Sequence, residues 1–237
     1  CDRDADEDEC VVVEDHGEGS AGGGAGGAAR GRGGSCARLT GPEPVHDGCA
    51  HMQKCRSFLA TLGLKTGYMD PAHDRCYCRS CASAARIPDV LEISSPHGLP
   101  YEVPKGWCGF GLQAQPRAKA LNVFKEWAVS FHGTLSSRIT SILDNNGLLK
   151  PGDVLLDGSR LPNRLTRGGA DGKGAGRIGF YTSPSINYSE LDIYTTPEQW
   201  EGHKVRVVLQ CRQMPGSFSV EKETIGWARR FGSAPIS

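Results

Sequence analysis

The chain has 237 residues, with 27 lysines and arginines balanced by 27 aspartates and glutamates, and 10 cysteines. A formal net charge of zero gives no general electrostatic reason to expect nucleic acid or a membrane surface as partner. No apolar run approaches the ~20 residues needed to span a bilayer.

The length suits one or two domains, on a prior of roughly 100–200 residues each. A chain that opens on Cys1 is expected to be part of a longer one, and no charged-then-apolar signal peptide opens it. The expected location is cytoplasmic. There, close cysteine spacing reads as metal ligation rather than as a disulfide framework. The even charge balance hides an acidic opening, Asp2 to Glu18, and a basic stretch from Arg160 to Arg177.

Residues 1–47 combine that acidic run with a segment, Gly19 to Gly34, built almost entirely from Gly, Ala, Ser and Arg. Such a composition buries too little apolar surface to offset chain entropy, so a disordered tail is expected, with Cys1, Cys10 and Cys36 as free thiols.

Residues 48–105 are read as a small module and linker. Cys49, His51, Cys55, His73, Cys76, Cys78 and Cys81 crowd into its first part. Tetrahedral zinc takes four soft or borderline ligands, and Cys76-x-Cys78-x-x-Cys81 supplies three from one loop. The fourth is Cys55, Cys49, His73, His51 or Cys108. Spacing does not choose among them, and Cys55 stands as the expectation. Phe58, Leu59, Leu62 and Leu64 give the module an apolar patch. Pro88, Pro96, Pro100 and Pro104 mark an extended connection out of it.

From residue 106 the pattern changes. Trp107, Phe110 and Leu112 suggest a strand, and Pro116 to Glu126 a helix with Ala120, Val123, Phe124 and Trp127 inward. Trp127, Val129 and Phe131 alternate with Ala128, Ser130 and His132, placing the larger side chains on one strand face and His132 on the other. Gly133 then brings bare backbone close to whatever His132 touches.

Ser136 or Ser137 caps a helix with Ile139, Ile142 and Leu143 on one stripe, ending at Asn145-Asn146-Gly147. Val154 to Leu156 reads as a short strand. Ser183-Pro184 reads as an N-cap followed by Pro at the first helical position, so Ser185 and Tyr188 share a helix face. Val205, Val207, Leu209 and Cys211 alternate with polar residues in a last long strand. Phe218 to Val220 starts another after the Met214-Pro215-Gly216 turn.

The ordered set Phe131-His132-Gly133-Thr134, Gly179-Phe180-Tyr181 and Ser185-x-x-Tyr188 resembles the poly(ADP-ribose) polymerase type of ADP-ribosyltransferase. The Cys-rich segment, Gly106-Trp107-Cys108, Leu209-Gln210-Cys211-Arg212-Gln213 and Pro215-Gly216-Ser217 are similar to the C-terminal region of the neuralized-like proteins. Together the resemblance covers roughly residues 49 to 227.

It implies an α+β fold: a split two-sheet ADP-ribosyltransferase-like domain over residues 106–237, preceded by the zinc module and the tail. NAD would be the substrate, a protein the acceptor of single ADP-ribose units, and ubiquitin-pathway proteins possible partners. By the same resemblance His132 and Tyr181 hold the ribose. Gly133 backbone and Ser185 hydroxyl bond the carboxamide, with Thr134 beside them, and Tyr188 stacks on the nicotinamide. The basic Gly-rich interval 157–177 is the donor loop over the pyrophosphate.

The third member of the family's His-Tyr-Glu set is Glu223, or a glutamate on a strand beyond Ser237. Transfer of ADP-ribose passes through an oxocarbenium-like state that a carboxylate stabilises. Two rivals remain: a non-catalytic zinc-stapled interaction module of a ubiquitin-ligase-associated scaffold, and the RNA 2'-phosphotransferase branch of the same fold. The neutral chain argues against the second of these.

Overall fold

The computed structural model describes residues 10–16, 48–92, 99–113, 116–150, 152–161 and 180–220. In chain order the elements are β1 (Cys10–His16), α1 (Ala50–Thr61), β2 (Arg75–Cys76), α2 (Arg79–Ala84), β3 (Val90–Glu92), β4 (Pro100–Glu102) and β5 (Trp107–Phe110). There follow α3 (Pro116–Ala120), α4 (Val123–Glu126), β6 (Ala128–Thr134), α5 (Ser136–Asp144), α6 (Ile186–Ser189), β7 (Glu198–Trp200) and β8 (His203–Gln213). The architecture is mixed α/β on small antiparallel sheets. One sheet has six strands in the order β2-β5-β1-β8-β6, with β7 also on β8, and the other is the β3-β4 pair. Among the described residues no helix is long and apolar enough to cross a membrane.

Strand alternation sorts side chains into two layers around the larger sheet. Cys108, Phe110, Val205, Val207, Leu209 and Cys211 pack on one face with Met52, Cys55, Phe58 and Leu59 of α1 and Ile139 of α5. Trp107, Val129, Phe131 and Val208 pack on the other with Ile186 of α6 and, at the margin, Tyr101 of β4. Trp107 and Cys108 are both buried although adjacent, because both faces of the sheet are covered there.

The expected division at residue 105 falls inside this core. Strand β2 precedes it yet pairs with β5, and α1 packs on strands that follow it. The Cys-rich segment is therefore one wall of the same core.

The expected disordered tail contains β1. Its register runs from Val11↔Phe110 to Glu14↔Trp107 on β5 and from Cys10↔Gln210 to His16↔Lys204 on β8. The competing signal is Val11-Val12-Val13, a β-branched run of high strand propensity inside an acidic context.

The expected helix from Pro116 is two short helices. They break at Asn122, whose φ of 56° is left-handed, and this turns Phe124 outward beneath the Arg212 guanidinium, 5.6 Å from its ring. Residues 218–220 are not a strand. The α5 expectation is met in its stripe and its end: Ile139 is buried, Ile142 and Leu143 flank it, and Gly147 at φ 130° donates back to Ile142 O at 2.9 Å. Its cap is not Ser136 or Ser137, since the N-cap is Leu135 without a side-chain bond and the Ser136 hydroxyl donates to the Glu198 carboxylate.

A chain shortened to begin at Pro44 loses β1 and bares the facing backbone edges of β5 and β8. Its thermal midpoint, read by circular dichroism, is expected to fall by several degrees or more, since ~1 kcal/mol is worth roughly 2–4 °C in a domain of this size. An unchanged midpoint would remove β1 from the folded core.

Candidate metal centre and strand-end site

Seven cysteines lie in the fully described segments, and none of them is in a disulfide. Helix α1 and the β2–α2 stretch bring the sulfurs of Cys49, Cys76, Cys78 and Cys81 within 4.8 Å of one another. Cys49 is the N-cap of α1 and Cys78 the N-cap of α2. Cys49 Sγ lies 3.6 Å from Cys76 Sγ and 3.8 Å from Cys78 Sγ.

Cys55, the fourth ligand expected from sequence, belongs instead to a second group with His51 and Cys108. The reason is helical: Cys55 lies about one and two-thirds turns further along α1 than Cys49 and so faces β5. His51 and Cys55, four apart on α1, share a side of the helix. His73 joins neither group; its ring faces Asp70, with Nε2 3.6 Å from Oδ2. Both groups could hold a metal ion.

The sulfurs polarise one another. Hydrogen bonding from Cys108, ahead of that from Cys49 and Cys78, pulls the Cys76 thiol down to about 4. Burial pushes Cys78 and Cys81 up, and hydrogen bonds to Cys55 and Cys76 push Cys108 up. His51 is raised to about 9, chiefly by its hydrogen bond with Cys55. Burying several thiolates together is costly, and a cation is the group that makes it favourable.

The second site lies at the end of β6. Residues 131 and 183 form an antiparallel bridge, with Phe131 N to Ser183 O at 2.7 Å and Ser183 N to Phe131 O at 3.0 Å. His132 Nδ1 lies 2.9 Å from the Tyr181 carbonyl and donates to it, across 49 residues of sequence. Burial lowers the pKa of His132.

Gly133 faces α6. A Cβ built there would lie 2.2 Å from Ser189 O and 2.6 Å from Tyr194 Cβ. Close packing of strand on helix therefore requires glycine, whatever else the backbone does. Thr134, half-buried, pairs with Val207.

The N-cap of α6 is Ser185, two residues later than expected, because Ser183 is held in the bridge to Phe131. Ser185 Oγ accepts from Tyr188 N at 3.2 Å, so the Ser-x-x-Tyr spacing is here a capping contact. The Ser185 hydroxyl also donates to the Glu102 carboxylate, which takes a second bond from Asn187 Nδ2 at 3.1 Å. Tyr188 packs on Tyr194, rings 5.6 Å apart. The Tyr181 side chain is 56 % exposed.

Thus Gly133 packs on α6, near Ser185 and Tyr188, whereas the His132 side chain, on the other face of β6, meets the Tyr181 backbone. Glu223 and most of the expected donor loop lie outside the described residues; Arg160, at its start, donates to Gly152 O at 2.8 Å. Sequence reasoning missed Glu102, which sits in a stretch read as linker. No local motif marks it, since its contacts lie more than eighty residues away. No protein-family model matches the chain, and no solved structure matches it.

Two outcomes follow. Ser185→Ala removes both a helix cap and a charged acceptor's donor, and is expected to cost about 1–2 kcal/mol in urea unfolding. Gly133→Ala meets backbone rather than a flexible side chain and is expected to cost at least about 1–3 kcal/mol with no ligand present. A neutral Gly133→Ala would show that α6 does not pack there.

The lowered pKa of His132 means that the folded state favours the neutral ring. Stability that depends on it is complete above the unfolded-state value of about 6.5 and is lost as pH falls below it. His132→Gln should flatten that part of the stability profile.

Proposed function

We propose that the chain is a zinc-stapled, NAD-dependent ADP-ribosyltransferase-like protein that transfers single ADP-ribose units to a protein acceptor. The observation that carries the reading is the Phe131–Ser183 bridge. It holds the His-Gly-Thr strand beside the segment that carries Tyr181 and Ser185-x-x-Tyr188, which supports the reading. Zinc is the metal of choice for the four-thiol group on ligand chemistry. A tetrahedron with Zn–S bonds of about 2.3 Å has edges of about 3.8 Å, and the sulfur separations of 3.6 and 3.8 Å fit it.

In this reading His132 and Tyr181 bind the ribose of NAD. The Gly133 backbone and Ser185 orient the carboxamide, and Tyr188 turns from Tyr194 to stack on the nicotinamide. Glu223 supplies the carboxylate for the oxocarbenium-like state. Resemblance to the neuralized-like proteins extends the reading to a setting among ubiquitin-pathway proteins.

A second reading, a non-catalytic zinc-stapled interaction module, is favoured by specific contacts. Ser185 already bonds Glu102, Tyr188 already packs on Tyr194, and Ser189 and Tyr194 close the side of Gly133.

Calorimetric titration with NAD separates the two. Binding should be measurable, and Tyr188→Ala or His132→Ala should each weaken it about tenfold, a change of about 1.4 kcal/mol. Glu223→Gln should keep the affinity and abolish nicotinamide release. Absence of any NAD heat in zinc-loaded protein favours the interaction module. Gly133 variants cannot serve as the binding test, because packing alone requires that glycine.

A further inference from the structure

We propose that the chain holds two zinc ions rather than one, with the Cys76 thiolate bonded to both. The proposal rests on the reading of Cys49, Cys76, Cys78 and Cys81 as a zinc site and adds a second ion among His51, Cys55 and Cys108.

The second group is one ligand short. Its three donor atoms lie within 4.8 Å of one another. Closed structural zinc sites are four-coordinate, and three protein ligands alone leave a position for water. Water is a poor fourth partner here, because Cys55 and Cys108 are 1 % and 0 % exposed and lie in the apolar core. A further sulfur within reach is Cys76, also buried, whose Sγ lies 3.8 Å from Cys108 Sγ. That is the edge length of a zinc–thiolate tetrahedron, about 3.8 Å. The same Cys76 sulfur stands 3.6 Å from Cys49 Sγ. It is thus at ligand-edge distance from a member of each group.

Counting bonds leads to the same result. Two tetrahedral ions take eight bonds, and the two groups contain seven side chains. One shared thiolate closes the difference, with no eighth ligand and no water. Two divalent ions also offset four of the six thiolate charges that the cysteines would carry, where one ion would offset only two.

The placement of Cys76 is imposed by the backbone. Antiparallel pairing of β2 with β5 sets Cys76 opposite Cys108. The start of α2 just after β2 then brings Cys78 and Cys81 within 4.8 Å of it. His51 brings its Nε2 to 3.9 Å from Cys55 Sγ and 2.9 Å from the Gly106 carbonyl, so an ion bound through Nε2 takes the place of that carbonyl contact. Cys49 and His51 both stand at the N-terminus of the twelve-residue α1, where the helix dipole favours thiolate.

The test is metal stoichiometry on the full chain purified under reducing conditions. Two zinc ions per chain are expected, falling to one in Cys108→Ser. One zinc per chain, retained in Cys108→Ser, overturns the second ion and leaves the four-thiol site standing. No zinc at all overturns both and leaves the cysteines as buried apolar side chains.

The shared sulfur is read on the wild-type chain, so that a misfolded variant cannot obscure it. Cadmium-113 substituted protein should give two resonances, each split by the other through Cys76. Two unsplit resonances would overturn the bridge.

Discussion

The pairing of Cys76 with Cys108 across β2 and β5 is the contact on which the rest depends. Strand β2 is only two residues long and cannot hold its place through backbone bonds alone. What anchors it is the sulfur chemistry on one side of the sheet. Cys55, Cys76, Cys81 and Cys108 are members of the same buried cluster as Met52, Phe58 and Leu59 of α1 and Val207 and Leu209 of β8. Candidate metal ligands and core residues are therefore the same residues here. A structural zinc contributes on the order of 10–16 kcal/mol against a whole-domain margin of roughly 5–15 kcal/mol. On the zinc reading, folding of the core and binding of the metal are one equilibrium.

Much of the fold was legible where period or punctuation was strong. The alternation of Val205, Val207, Leu209 and Cys211 announced β8, and the apolar stripe of Ile139, Ile142 and Leu143 with Asn146-Gly147 announced α5. Three thiols of the metal centre were legible because Cys76, Cys78 and Cys81 are close in sequence. Cys49 was not distinguishable from Cys55, since the choice depends on which way α1 faces after it packs on β5. Strand β1 was hidden by composition: an average over forty-seven residues drowned the seven that pair. Glu102 was invisible for a different reason, because its role is defined by Ser185 and Asn187 far along the chain.

At the end of β6 the same residues answer to two demands. Gly133 is required by the carbonyl of Ser189, Ser185 by the first turn of α6, and Tyr188 by the ring of Tyr194. A motif read as ligand-binding is thus also a packing motif. The two demands are compatible for Gly133, whose backbone is fixed without strain. They compete for Ser185 and Tyr188, which would exchange a protein partner for a ligand. Affinity at such a site is reduced by the free energy of those internal contacts. The Ser185–Glu102 bond matters most, because it is charge-assisted and ties α6 to the small β3-β4 sheet.

The two sites are set apart by the sheet itself. The candidate ligand cysteines cluster around β2 and β5 at one edge, and the His132 strand forms the other, with β1 and β8 between. At about 4.8 Å per strand, three spacings separate β5 from β6 by about 14 Å. His132 pairs with Leu209, on the cysteine face, whereas Gly133 pairs with Val208 and meets α6 on the opposite face. No single side chain spans that distance, so the metal centre cannot lend a ligand or a charge at contact range to the strand-end site. What it can do is fix β5. Through the register of β1 and β8, a fixed β5 settles the position of β6 and so the level at which His132 meets the Tyr181 carbonyl.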